Sequence, residues 1–229
     1  MARDSIDDWL ESVFKAIETD PVQIDIEFDG PPGPLLSPDE IKAEQISLEQ
    51  WQDPDAFKAA SDALLAPYIY NNRSDLFFNP KLKFLHNAFV LARFACRHGV
   101  DKVRLEQCSK EWPDGFVQIA GEEHKIEVTS THGGRPLGKE LREIKGPTVD
   151  PGEQWVARGD SIPKFLDEAV TKKVKKNYSE SKQCWLVVYL NIDDYGISQK
   201  ETEAAIVEVK RRYASSFEAI CVLWRGQLY

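Results

Sequence analysis

Hydrophobic and polar residues recur with two different periods along this chain, and the two periods predict helices and strands. Residues 5–18 place apolar side chains three or four positions apart, which predicts an amphipathic helix. Residues 22–28 alternate with period two, which predicts a strand. The Pro- and Gly-rich stretch at 29–34 then interrupts both patterns.

The next part of the chain, to about Asn79, is predicted to consist of helical pieces separated by loops. Ser37 followed by Pro38 has the features of a helix start, because the serine can cap the helix and proline is accepted in the first turn. We therefore expect residues 1–78 to form a mostly helical N-terminal extension packed on a core of residues 79–229.

From Pro80 onward the pattern predicts a regular alternation of elements. In chain order these are a helix ending at His98, a strand at 100–107, a two-stranded hairpin, a helix that Ser161 caps with Pro163 in its first turn and that runs to about Tyr178, a buried strand at 184–190, a helix at 198–213 and a strand at 219–224. The order α-β-β-β-α-β-α-β predicts an α/β fold with a sheet flanked by helices.

Composition limits the class of protein. The chain has 229 residues, of which 42% are hydrophobic, enough for a well-buried core. It contains no run of 18 apolar residues, so we expect no membrane span. The acidic N-terminus lacks the features of a signal peptide, which favours a cytoplasmic location. The four cysteines form no CxxC pair and are interpreted as reduced thiols.

Two acidic residues on the predicted hairpin are the strongest chemical signal. Asp114 lies at the start of its first strand and Glu127 lies inside the second. If the strands pair, the two carboxylates can meet at one end of the sheet. Paired carboxylates suit a hard divalent cation such as Mg²⁺, which prefers oxygen ligands and retains several waters. The net charge of −9 gives no general help in binding nucleic acid, so such a partner needs a local basic patch or bound metal.

Pro113-Asp114, Glu127 and the flanking order of elements resemble the PD-(D/E)xK nuclease superfamily, over roughly residues 80–225. The resemblance implies a restriction-endonuclease-like αβββαβ core with a mixed sheet. It also implies hydrolysis of phosphodiester bonds in DNA or RNA with Mg²⁺ or Mn²⁺. The metal ligands would be Asp114, Glu127 and the backbone carbonyl of Val128. Thr129 stands where the family has its lysine, and it would position water. Many enzymes of this fold are homodimers, which makes a homodimer a further expectation.

Three lysines are candidates to replace the missing one. Lys173, our first choice, and Lys176, our second, extend an apolar helical stripe toward the sheet, formed with Ile162, Leu166 and Ala169. Lys125 shares the strand face of Glu127. A lysine on a core-facing stripe needs an anionic partner, which the carboxylates would supply. Lys173 and Lys176 fit equally well into an ordinary solvated last turn, which the helix dipole favours.

Two other classes of function remain open from the sequence. One is a catalytically inactive relative that binds nucleic acid or a protein partner. The other is an unrelated α/β enzyme or interaction protein in which the two acids are coincidental. No Gly-rich phosphate loop, HExxH pair or GxSxG motif supports a nucleotide, zinc or hydrolase site.

Overall fold

The computed structural model describes residues 34–70, 79–131, 155–176, 181–192 and 199–229. All of them belong to one compact unit, Pro31–Tyr229. The predicted helix at 5–18 and the predicted strand at 22–28 lie outside the described residues. The boundary between residues 78 and 79 stays a prediction.

The described residues form an α/β fold with five α-helices and six strands. In chain order they are α1 (Pro38–Leu48), α2 (Pro54–Tyr70), α3 (Lys83–His98), β1 (Lys102–Leu105), β2 (Gly115–Ile119), β3 (Glu122–Thr131), α4 (Trp155–Lys175), β4 (Cys184–Leu190), α5 (Gln199–Arg212), β5 (Ala219–Trp224) and β6 (Gln227–Leu228). Short 3₁₀ turns at Pro80–Leu82 and Ser181–Gln183 precede α3 and β4. The α/β class is confirmed, and so is the predicted order of elements from Pro80 to β5.

The six strands form one mixed sheet in the order β1-β2-β3-β4-β5-β6. The first three strands are antiparallel, β3, β4 and β5 run parallel, and β6 returns antiparallel beside β5. A mixed sheet is therefore confirmed. The strand predicted at 100–107 is shorter in the structure, Lys102–Leu105, and the two-residue β6 was not predicted.

The hairpin of β2 and β3 turns through Ala120 and Gly121, which have φ angles of 51° and 83°. Positive φ at both positions is what the tightest hairpin turns require, and glycine adopts it without steric cost. Gly115 lies opposite Ile126 in the resulting register. Among the described strands only β4 pairs with β3 from Glu127 to Thr131, so β3 continues beyond the start of β2.

Helices cover both faces of the sheet. On one face α3 packs against β4 through edge-to-face ring contacts, Phe89 with Tyr189 and Phe94 with Trp185. On the other face α4 and α5 form an apolar core with β4 and β5. Its members include Ile162, Leu166, Val170, Leu186, Val188, Leu190, Ile206, Val209, Ile220, Val222 and Trp224.

The start predicted for α4 was wrong. The helix begins at Trp155, so Ser161 does not cap it and Pro163 lies inside it rather than in its first turn. A capping preference is worth only about 1 kcal/mol. Local signals of this size do not set the ends of a helix whose register is fixed by burial of Ile162, Leu166 and Val170.

The first two helices of the described chain lie next to each other, and α2 packs on α3. The predicted start of α1 is confirmed, since Ser37 and Glu40 form a reciprocal capping box. In α2, Phe57 is fully buried and Asp62 forms an ion pair of 2.9 Å with Arg93 of α3.

No helix in the described ranges is both long enough and apolar enough to cross a membrane. All four cysteines are free thiols.

Candidate functional site

The backbone of Asp114 is fixed where β1, β2 and β3 come together. Its amide donates a hydrogen bond of 3.0 Å to the Ile126 carbonyl, and its carbonyl accepts one of 3.2 Å from the Glu106 amide. The following residue must be small. A Cβ atom on Gly115 would lie 2.5 Å from Leu91 Cδ2 and 2.8 Å from the Arg104 carbonyl oxygen, closer than side chains tolerate.

The Asp114 side chain bridges the sheet and helix α3. Its Oδ2 accepts a hydrogen bond of 2.8 Å from the Val128 amide, at the part of β3 that β2 does not cover. Its Oδ1 accepts one of 2.7 Å from Asn87 Nδ2, and the Lys83 ammonium lies 3.9 Å from the same oxygen. Because each carboxylate oxygen has two lone pairs, these contacts leave acceptor capacity on Asp114.

Glu127 and Lys173 form the closest charge contact of the site. Lys173 Nζ lies 2.5 Å from Glu127 Oε1 and 3.9 Å from Asp114 Oδ2. The exposed fractions of the three side chains are only 2% for Glu127, 7% for Asp114 and 11% for Lys173. The structure therefore brings together the two predicted acids and the first-choice lysine in a recessed position, where charges are screened little by solvent.

The apolar stripe of helix α4 places Lys173 beside the two acids. Ile162, Leu166 and Val170 are fully buried, and Lys173 follows Val170 by three positions on the same face. A second contact fixes this helix against α5, where Asp167 Oδ1 accepts hydrogen bonds of 2.7 Å from Arg212 and 3.0 Å from Tyr213. The position of the ammonium is thus set by packing along the length of the helix.

The remaining predicted residues lie around this group at different depths. Thr129 follows Glu127 by two positions on β3 and so shares its face, which is turned toward α4. Lys125 precedes Glu127 on that face, and its ammonium lies 5.2 Å from the centre of the Trp112 ring. Lys176 is exposed just after α4, and its amide donates to the Lys173 carbonyl.

The backbone carbonyl of Val128 lies on the same side of β3 as Asp114. In an extended strand the N–H and C=O groups of one residue point to the same side of the strand. Since the Val128 amide is bonded to Asp114, its carbonyl leaves β3 on the same side. All three predicted metal ligands, Asp114, Glu127 and Val128, are therefore oxygen donors at one end of the sheet.

Sequence reasoning missed three residues of α3 that border the site, Lys83, His86 and Asn87. Their spacing of three and four positions places them on one helix face. Burial lowers the pKa of His86 below its ordinary value, although its hydrogen bond with Asn87 and the charge of Asp114 oppose that shift. A polar triplet at helical spacing in the first turns of α3 was the available signal, but surface helices show the same pattern.

The charge of Glu127 affects the pKa of a thiol on the neighbouring strand β4. Cys184 of β4 lies opposite Lys125 in the parallel register and is fully buried. Burial first, and the charge of Glu127 second, raise the pKa of the Cys184 thiol to about 12. The thiol is therefore held in its neutral form, as expected for an inert core cysteine.

A cleft of about 1250 Å³ leads to Asp114. It is lined by residues of the stretches 36–45, 79–87 and 105–114, together with Tyr68 and Lys176. Five lysines lie along it, namely Lys42, Lys81, Lys83, Lys110 and Lys176. The site is thus a recessed acidic centre at a cleft that contains five lysines and four acids.

The donor set suits a hard divalent cation. Two carboxylates and one backbone carbonyl are ligands of the kind that Mg²⁺ and Mn²⁺ accept, with water completing the coordination. In the described ranges no group of three His, Cys, Asp or Glu side chains is arranged to hold a metal, so the acidic ligands would be the pair Asp114 and Glu127 alone.

Comparisons of the chain with protein-family models, with curated proteins and with solved structures found no match. The candidate site is therefore characterised by its own chemistry. It consists of two recessed carboxylates with one recessed ammonium beside them, at a lysine-lined cleft.

Proposed function

We propose that this protein is a metal-dependent phosphodiesterase, a DNA or RNA endonuclease of the PD-(D/E)xK type with a restriction-endonuclease-like fold. The observation that supports this most is the position of Lys173, whose ammonium lies within 4 Å of carboxylate oxygens of both Asp114 and Glu127. Two acids and a lysine are the side chains that this chemistry uses. Here the lysine comes from α4 instead of the strand position held by Thr129.

Each residue has a role that follows from its chemistry. Asp114, Glu127 and the Val128 carbonyl would hold Mg²⁺ or Mn²⁺, which supplies charge neutralisation and a lowered pKa of bound water. The Val128 amide and Asn87 orient the Asp114 carboxylate through the hydrogen bonds already described. Thr129 has a hydroxyl on the face of Glu127 and would position water by donating or accepting a hydrogen bond.

Lys173 would stabilise the negative charge that develops on the phosphate. An ammonium in a recessed site acts through a lower effective dielectric than one at the surface, so its effect on a developing charge is larger. Lys176 at the cleft and Lys125 on β3 are the second and third candidates for this role. A homodimer, which would present two such sites, stays a prediction.

Cutting assays with single- and double-stranded DNA and RNA test the proposal. We expect cutting with Mg²⁺ or Mn²⁺ and none with EDTA. The isosteric changes Asp114→Asn and Glu127→Gln should each lower the cutting rate by more than about 100-fold. Mutation of residues that only hydrogen-bond to metal ligands lowers activity by at most about 100-fold, so a larger loss indicates a ligand. Lys173→Met should lower it comparably at a temperature where the variant stays folded.

Asp62→Asn is the matched control. Asp62 is also a recessed acid in an ion pair, with Arg93, but it is not one of the residues that line the cleft. This variant should lose stability and keep its cutting rate. Cutting that survives Asp114→Asn or Glu127→Gln would contradict the metal assignment.

A second candidate function is a catalytically inactive relative that binds nucleic acid or a protein partner. It is favoured by the contact of 2.5 Å between Lys173 and Glu127, because an acid neutralised by its own lysine needs no metal. Isothermal titration with Mg²⁺ and Mn²⁺ separates the two candidates. Absence of binding, with nucleic acid still retained in the cleft, would support the inactive relative.

A further inference from the structure

Part of the cleft is built by a segment that the nuclease-like core does not include. Helix α1 and the residues before it contribute Leu36, Ile41 and Lys42 to the lining. Helix α1 is far from Asp114 in the sequence, yet residues of α1 and Asp114 line the same cleft. A segment that extends a cleft away from a reactive centre enlarges the surface on which a substrate can bind.

The charges along the cleft differ from those of the whole chain. The protein has 38 acidic residues against 29 Lys and Arg, whereas the cleft has five lysines and four acids. One of the four acids is Asp114 itself, and Glu106 is paired with Lys110 at 3.4 Å. The other two acids are Asp39 and Glu111, so the cleft has an excess of one positive charge on a chain whose net charge is −9. An excess of positive charge is what a polyanion partner needs.

Two of these lysines have no acidic partner among the residues that the structure describes. Lys42 and Lys81 are exposed, and neither makes an ion pair within the described part of the chain. The side chain of Lys83 is 71% exposed, and its ammonium reaches to 3.9 Å from Asp114 Oδ1. A lysine ammonium is a mobile point charge with three donors, which suits phosphate oxygens without fixing a sequence.

The form of the cleft favours a single strand over a duplex. Apolar side chains such as Leu36 and Ile41 lie among the lysines, and the Asp114 carboxylate is only 7% exposed. A flexible strand can follow a recessed groove with its phosphates on lysines and its bases against apolar side chains. The bases of a duplex are paired and stacked inside it, so they are not free to pack against these apolar side chains.

We propose that this cleft binds one strand of nucleic acid and that α1 forms part of the binding surface. The proposal rests on the proposed function in taking nucleic acid as the partner. Lys83 contacts the phosphate next to Asp114, and Lys81 and Lys42 contact phosphates farther along the strand. Residues 34–48 then have a role in substrate binding, separate from hydrolysis at Asp114 and Glu127.

Fluorescence anisotropy tests this without cutting, because binding is measured with the full chain in EDTA. The probes are labelled oligonucleotides of about 12 nucleotides, within the range bound by known single-strand grooves, as DNA, as RNA and as the matching duplexes. We expect both single strands to bind more tightly than the duplexes. Lys42→Gln/Lys81→Gln should weaken single-strand binding by about tenfold or more and lower the salt slope by about 1.4, or about 0.7 per lost phosphate contact.

The matched control is Lys164→Gln/Lys200→Gln, which removes two exposed lysines that do not line the cleft. It should leave the affinity and the salt slope unchanged. Equal weakening by both double variants, preferred binding of duplexes, or equal binding of a polyglutamate peptide would each overturn the proposal. Lysine-dependent binding without any cutting would count against the nuclease and leave this inference standing.

Discussion

Helix α4 packs on the sheet in two different ways along one face. Over most of its length, Ile162, Leu166 and Val170 are buried against apolar residues of β4 and β5. Less than one turn later the same stripe ends in Lys173, which contacts Glu127 of β3. One helix thus contributes both an apolar core and a charged centre.

The two ends of this interface differ in energetics. Burial of apolar side chains stabilises the fold in proportion to area and needs no particular partner. A recessed ion pair contributes little net stability, because desolvation offsets its attraction, yet removal of one partner leaves an uncompensated charge. The apolar end therefore provides stability, whereas the charged end adds little net stability and becomes costly only when one partner is removed.

The largest expected effect comes from breaking the charged end. Lys173→Met should lower the free energy of unfolding by about 3–5 kcal/mol, because Glu127 would be buried without its cation. Adding Glu127→Leu should restore most of that loss, since both charges are then absent. Urea denaturation measures both changes.

Two further variants make this result interpretable. Lys172→Met removes an exposed neighbour and should change the free energy of unfolding by less than about 0.5 kcal/mol. Leu166→Ala at the apolar end should cost about 2–5 kcal/mol through the cavity it leaves, and Glu127→Leu should not restore it. A double variant as unstable as Lys173→Met alone would contradict the contrast between the two ends.

A smaller effect is expected from crowding the charged end. Gly115→Ala should destabilise the protein by about 1–3 kcal/mol, because the new methyl group meets Leu91 and the Arg104 carbonyl. In a double-mutant cycle, Leu91→Ala should relieve only the side-chain part, since the contact with the backbone carbonyl remains. Strict additivity of the two changes would show that Gly115 is not tightly packed against α3.

The smallest expected effect is the pH dependence of His86. Its lowered pKa means that the unfolded chain binds the proton more readily, so the stability present above its ordinary pKa of 6.5 falls as the pH drops below that value. The nearby charges are those of Asp114, Lys83 and Lys173. Between pH 7 and pH 5, wild-type protein should therefore lose more of its unfolding free energy than His86→Gln does.

The same comparison with Leu166→Ala provides the control for His86. A change at the apolar end should leave the pH dependence of wild type intact. Identical pH profiles for wild type and His86→Gln would show that burial does not disfavour the charged imidazole.

Helical periodicity explains how the sequence led to Lys173. A stripe at steps of three and four residues keeps its direction over several turns, so buried Ile162 and Leu166 also determine where Lys173 points. Likewise the hairpin turn at Ala120 and Gly121 fixes the register that brings Asp114 near Glu127. These parts of the site depend on local geometry, which is why they could be predicted.

The parts that were missed depend on contacts between elements distant in sequence. Asn87 and Lys83 look like any polar helix residues until α3 is placed beside Asp114. The early start of α4 overrides a plausible cap at Ser161, and β6 is too short to produce a periodic signal. Local preferences of about 1 kcal/mol cannot reveal such tertiary arrangements.

The hydrogen bond from the Val128 amide to Asp114 has a consequence for solubility. Beyond β2, none of the described strands pairs with the outer edge of β3, and an unpaired edge is a place at which another chain could add a strand. The Asp114 carboxylate occupies that edge with a negative charge and satisfies one of its donors. A charge on a strand edge disfavours edge-to-edge pairing, so we expect that neutralising Asp114 makes the protein more prone to aggregate at high concentration.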